Sequence, residues 1–168
     1  MNTNKKIYRL VFAALFIALC FVGGNIKIMG SIAFDSLPAF LGTLFLGYGW
    51  GAAIGALAHM LSAMLSGFPM TLPVHIITAG MMALTMVGFL ATVRALKKKN
   101  EIVAYIMGCI VAVIINVPLG LMAVIPFIGK ETAFALIPAL LPAAIANVVL
   151  AVIIYMAIPK KFKDTFKK

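Results

Sequence analysis

His59, His75 and four acids, Asp35, Glu101, Glu131 and Asp164, hold nearly all the proton-transfer and metal-binding capacity of this 168-residue chain. His59 falls inside an apolar run, where an ionisable side chain is a functional candidate because lipid solvates its charge so badly. It also shares a four-residue spacing with Gly51, Gly55 and Ala63. Small residues at that spacing let two helices approach closely, so the spacing favours reading His59 as a neutral, hydrogen-bonded packing residue over a ligand-binding one. Two histidines without a third ligand make no zinc site, and neither a metal nor a cofactor is expected. The motifs H-E-x-x-H, G-x-S-x-G and G-x-x-x-x-G-K-[ST] are absent, and Gly129-Lys130 lacks the upstream glycine and the following hydroxyl of a phosphate loop. No catalytic residue is assigned, the chain is read as no enzyme, and any ATP hydrolysis must come from another subunit.

The remaining polar residues suggest binding. Asp35, His75 and Lys27, together with Lys130 and Glu131, flank the segments 23–34, 67–72 and 125–133. Two prolines stiffen the segment 67–73, and Thr71 is placed to cap the helix that follows, leaving first-turn N–H groups near His75. Asn116 comes two residues before Pro118, whose ring removes a backbone hydrogen bond and frees polarity at mid-helix. An amide there serves a ligand cavity or glues two helices, and Asn147 carries the same two readings. Phe34 and Phe68 are expected as apolar walls beside Asp35, His75 and Asn116. The bland alternative is that Asp35 neutralises a helix start and His75 is an interfacial residue.

The elements that must position these residues follow from composition. With 64% of residues apolar and 11% charged, the chain is far from the roughly 25% charged residues of a soluble domain, so its solvent must be lipid. At about 20 residues per crossing, six helices fit the length. Apolar runs and breakers place them at about 7–22, 34–46, 50–66, 72–96, 102–124 and 134–158, in one six-helix domain spanning 1–168. The second is short and holds Pro38, which predicts a tilted, kinked or partly re-entrant segment. Cys20 and Cys109 lie in apolar runs and read as inert. The basic start from Met1 to Arg9 reads as the flank of an uncleaved first helix.

All of the 14 basic residues except Lys27 and Lys130 fall in three clusters: Lys5, Lys6, Arg9; Arg94, Lys97, Lys98, Lys99; and Lys160, Lys161, Lys163, Lys167, Lys168. That pattern suits the positive-inside rule rather than nucleic acid, and it puts both termini and the segment 94–101 in the cytoplasm. His75 lies 19 residues before Arg94, about 28 Å along a helix, so it belongs at the outer edge. Tyr48 and Trp50 then mark the inner interface.

Six spans of this length, Ala14-x-x-x-Ala18 in the first helix and a polar outer face resemble the substrate-binding S component of energy-coupling factor (ECF) vitamin transporters. The stretches Phe34-Asp35-Ser36-Leu37-Pro38-Ala39-Phe40-Leu41-Gly42, Leu46-Gly47-Tyr48-Gly49-Trp50-Gly51, Gly55-Ala56-Leu57-Ala58-His59 and Ser66-Gly67-Phe68-Pro69 carry the likeness. The resemblance implies a multi-pass plasma-membrane protein that binds a micronutrient in its outward half. It implies docking through Ala14 and Ala18 on a membrane coupling subunit served by two cytosolic ATPases. Within the family, the pattern is most similar to the group proposed to import α-ribazole. An assembly subunit of a membrane complex and a self-contained carrier stand as the other readings.

Overall fold

The computed structural model describes residues 3–25, 27–28 and 32–165, with side chains at 6–25 and 34–163. Lys167, Lys168 and the side chains of Lys5, Lys27 and Asp164 lie outside what is described. The chain is an all-helical membrane protein built as a bundle. Its helices are α1 (Thr3–Asn25), α2 (Leu37–Leu46), α3 (Tyr48–Leu65), α4 (Leu72–Leu96), α5 (Glu101–Ile114), α6 (Gly120–Ile128), α7 (Lys130–Ala157) and the short α8 (Lys160–Thr165). A π turn at Ile115–Leu119 joins α5 and α6 into one rod. Among the described residues, four helical stretches are long and apolar enough to cross a membrane: Lys6–Asn25, Leu72–Leu96, Glu101–Ile128 and Lys130–Ala157. Large apolar side chains face outward along them, with Ile102, Met122 and Phe134 each 63% exposed. Contact with water would make that surface an aggregation hazard, whereas lipid chains satisfy it.

After α1, a two-residue antiparallel ladder of β1 (Lys27–Ile28) and β2 (Ile32–Ala33) turns the chain back, pairing Lys27 with Ala33 and Ile28 with Ile32. The Phe34 N–H then donates to the Gly23 carbonyl at 3.1 Å. A Cβ at Gly23 would collide with the Phe34 carbonyl, so only glycine admits this return. With Phe34 tied back to α1 in this way, α2 starts at Leu37 rather than at 34. Pro38 thus occupies its first turn, where no intrahelical N–H is missed and no kink follows. Ten residues at 1.5 Å each make α2 about 15 Å long, half of a hydrocarbon core of about 30 Å.

Gly47, with φ of 93°, alone separates α2 from α3. Gly51 then lies so close to the fully buried Thr43 that a Cβ there would overlap its side chain. Gly55 meets the Met82 carbonyl and the Met86 side chain on α4 in the same way. The small-residue stripe of α3 therefore touches two helices, α2 at Gly51 and α4 at Gly55. Adding a methylene to contacts this tight typically costs about 1–3 kcal/mol. Phe40 and Phe89 meet edge to face at 5.2 Å, Phe45 and Tyr155 at 5.1 Å, and Phe16 stacks on Phe45 at 6.2 Å. Together with Met86 and Ile54 they form the main core.

The two ends of the bundle differ in chemistry. At one end, the Arg94 guanidinium lies 4.5 Å above the Tyr48 ring, Lys97 pairs with Glu101 at 2.8 Å, and Trp50 packs at the edge of the main core. The other end carries the ladder, the 67–71 turn and Gly129.

Candidate functional site

A cavity of about 240 Å³ opens in the half of the bundle away from the arginine and lysine clusters, and its polar lining draws on five parts of the chain. Asp35 and Ser36 come from the turn into α2, and His59 from α3. His75 and Thr78 lie on the first turns of α4, Asn116 on the π turn and Asn147 on α7. Met70, Val74, Met82, Leu121, Val124 and Leu140 supply much of the apolar wall. The volume is at the small end for ligand sites, below the roughly 300–1,000 Å³ of drug-sized pockets.

The two imidazoles interact directly. His59 Nε2 and His75 Nδ1 are 3.2 Å apart, and His75 Nε2 bonds to the Pro69 carbonyl. A carbonyl can only accept, so His75 donates from Nε2. Neutral His75 then accepts at Nδ1, His59 donates to it from Nε2, and His59 Nδ1 is the acceptor of the relay. Helical rise from the far end separates the two residues in depth, yet the turn between α3 and α4 brings them together. Counted from Leu65 and Leu72, His75 lies level with Ser62, and His59 sits three residues deeper, about 4.5 Å at 1.5 Å per residue. Two imidazoles reach across that step.

The 67–71 turn is held in an unusual backbone path. Phe68, Met70 and Thr71 have φ of 51°, 74° and 96°, a region in which non-glycine residues cost of order 1–3 kcal/mol each. Its ties are the Phe68 N–H to the Ala63 carbonyl at 2.8 Å, the His75–Pro69 bond, and the Phe68 ring 5.9 Å from that of His75. Thr71 precedes α4 but its side chain makes no capping bond, because its backbone is in this path rather than the extended form a cap requires. The expected cap is thus corrected. Phe68 backs His75 instead of walling the cavity, and Phe34 is not among the lining residues either. Met70, two residues on, takes the wall position, because the turn directs Phe68 toward His75.

Asp35 and the buried Ser36 stand side by side on the cavity wall, in the turn that leads into α2. The Asn147 side chain, only 1% exposed, accepts from the Leu37 N–H at 2.8 Å and donates to the Ala143 carbonyl at 2.8 Å. It pins the first turn of α2, whose N–H groups have no helical partner, so helix gluing is visible in its bonds while one face still meets the cavity. Asn116 reaches the cavity because Pro118 widens the helix into a π turn, a distortion that is frequent at functional sites. Lys130 and Glu131 are exposed at the start of α7 and outside the lining. Ser36, Thr78 and Met70 line the site without having been singled out in the sequence. Thr78 had a signal, one turn after His75 on the same helix face.

Among the described residues no lysine or arginine lines the cavity, and no three of His, Cys, Asp and Glu stand close enough together to hold a metal ion. What the site offers is one carboxylate, two imidazoles, two amides and two hydroxyls within an apolar wall. It can orient a small polar ring compound, and among the described residues it holds no lysine or arginine to balance a phosphate. A family model described as ECF transporter, substrate-specific component, matches residues 8–159. No curated protein and no solved structure matches the chain.

Proposed function

Because the chain belongs to the substrate-specific components of ECF transporters, a family of transporter binding subunits rather than enzymes, we propose that it captures a vitamin or vitamin precursor in the cavity between Asp35, His59, His75 and Asn116. The family implies a small-molecule substrate and a membrane-embedded ECF module with ATPases. In this reading the protein crosses the plasma membrane six times, α2 being the short crossing, with both termini inside. It delivers its ligand through a coupling subunit driven by two cytosolic ATPases. The observation that carries the reading is the gathering of five polar side chains from separate elements into one lipid-shielded space, where each would lose free energy without a partner.

The substrate we assign is α-ribazole, an aromatic base joined to a ribose. Its sugar hydroxyls match Asp35, Asn116 and the imidazoles, its ring matches Met70, Met82 and Leu121, and it carries no phosphate. Native mass spectrometry of the gently purified chain is expected to show one retained small molecule, and α-ribazole should raise the melting temperature of ligand-free protein. A chain that retains nothing and is stabilised by no nucleoside would sink the binding role. One stabilised by another vitamin would sink only the substrate. Transport into liposomes by the chain alone would favour a self-contained carrier.

Orientation has its own check. Single cysteines at 97–99 should react only from inside the cell and those at 67–71 only from outside, as the positive-inside rule requires. The opposite labelling would turn the cavity toward the cytoplasm and end the capture reading.

A further inference from the structure

Toward the basic end of the bundle, α5 and α7 diverge and leave an apolar groove of about 500 Å³. Ile102, Ile106 and Ile110 form one wall, Val149, Ile153 and Met156 the other. Its mouth is built differently. Lys97 Nζ donates to the Tyr105 hydroxyl at 3.1 Å and pairs with Glu101 at 2.8 Å. Lys163 Nζ lies 4.6 Å over the Tyr155 ring and donates to the carbonyl of Met156, itself a groove residue, at 3.4 Å. The Tyr105 and Tyr155 rings stand 6.3 Å apart between the two cations. Burial pulls the Lys97 ammonium toward neutrality, but its bonds to Glu101 and Tyr105 outweigh this and hold its pKa above the ordinary value.

We propose that this groove seats one anionic phospholipid, with an acyl chain along the α5–α7 wall and the phosphate at the Lys97 and Lys163 end. Three features select that occupant. From Ile102 to Ile114 the wall extends 12 residues, about 18 Å at 1.5 Å each, close to one leaflet of a hydrocarbon core about 30 Å thick. Basic pockets between membrane helices on the positive side recognise anionic headgroups, and aromatic hydroxyls lie at headgroup level. The walls are β-branched and bulky, with none of the small residues that allow a second helix to approach, so a flexible chain fits where a helix would not. The proposal is independent of which solute the cavity takes.

The test uses the full-length chain, delipidated in detergent and titrated with phosphatidylglycerol or phosphatidylcholine of identical acyl chains, with bound lipid counted by native mass spectrometry. One phosphatidylglycerol per chain is expected, retained at least fivefold over phosphatidylcholine. Lys97→Gln with Lys163→Gln should lower that preference below twofold. Ile110→Trp with Val149→Trp should remove retention of both lipids without altering the melting temperature of lipid-free protein. If the tryptophan variant fails to fold, the lysine variant, altered at the aqueous edge, still decides. Equal retention of the two lipids by the wild type, or an undiminished preference in the lysine variant, overturns the assignment. So does a photo-crosslink from position 110 that yields a protein adduct in cells instead of a lipid adduct, which would hand the groove to a partner helix.

Discussion

Tryptophan at both Ala14 and Ala18 should reduce uptake by intact cells to background while leaving the ligand affinity of the purified chain within about twofold of wild type. The two alanines lie on the exposed face of α1, whereas Ala13, Phe16 and Cys20 on the opposite face are buried in the core. Leu10, Val11, Leu15, Leu19 and Val22 around them are exposed and bulky, so the alanines form a notch in an otherwise filled surface. In the proposed docking, a helix of the coupling subunit approaches α1 at this notch. Forcing bulk into a close helix contact typically costs about 1–3 kcal/mol, which is about 5- to 150-fold in the fraction assembled. Two indoles add steric exclusion to that loss. Uptake assays beside calorimetry on the isolated chain separate the two effects. Undisturbed uptake by the double variant would remove α1 as the docking surface.

Asp35→Ala and Asn116→Ala are each expected to weaken ligand binding by about 1–3 kcal/mol, the cost of leaving a buried polar group unmatched, or roughly 5- to 150-fold in Kd. Neither side chain carries the fold: Asp35 sits in a turn and Asn116 in a π turn whose shape Pro118 already sets. Asn147→Leu should behave in the opposite sense and lower the melting temperature, since it strands the Leu37 N–H. His59→Phe should weaken binding and also loosen the 67–71 turn, because it removes the donor to His75. Trp50 packs with the core near Arg94 and does not line the cavity, so its fluorescence should not report direct ligand contact. Unchanged calorimetric affinity in both the Asp35 and Asn116 variants would put the binding site elsewhere.

Much of this architecture is legible in residue order because lipid simplifies the physics. A chain with so much apolar surface has to close its backbone hydrogen bonds within helices. Its few charges must therefore collect at the ends, and the basic clusters at 94–99 and 160–163 mark one end without any coordinates. His75 could be assigned to the other end by helical rise from Arg94, and Asp35 and Asn116 to the outer half by the order of crossings that the basic clusters imply. Gly51 and Gly55 announced a close helix contact through their spacing, although spacing could not say that they face different partners.

The sequence by itself determined the solvent, the helical class and which polar residues share an end, since each follows from local hydropathy, rise per residue and breaker positions. Tertiary structure alone decided how those residues meet. A ruler along one helix puts His59 and His75 at different depths, and only the turn between α3 and α4 brings their ring nitrogens to 3.2 Å. Residue order does not reveal that Phe68 turns to His75 while Met70 takes the wall, because Phe68, Met70 and Thr71 all adopt positive φ values that non-glycine residues rarely take. The amide of Asn147 finds the Leu37 N–H 110 residues away in sequence. Hydrogen bonds and cavity walls depend on side-chain positions to within about an ångström, set by packing between helices, whereas periodicity fixes a residue's level and face but not its neighbour.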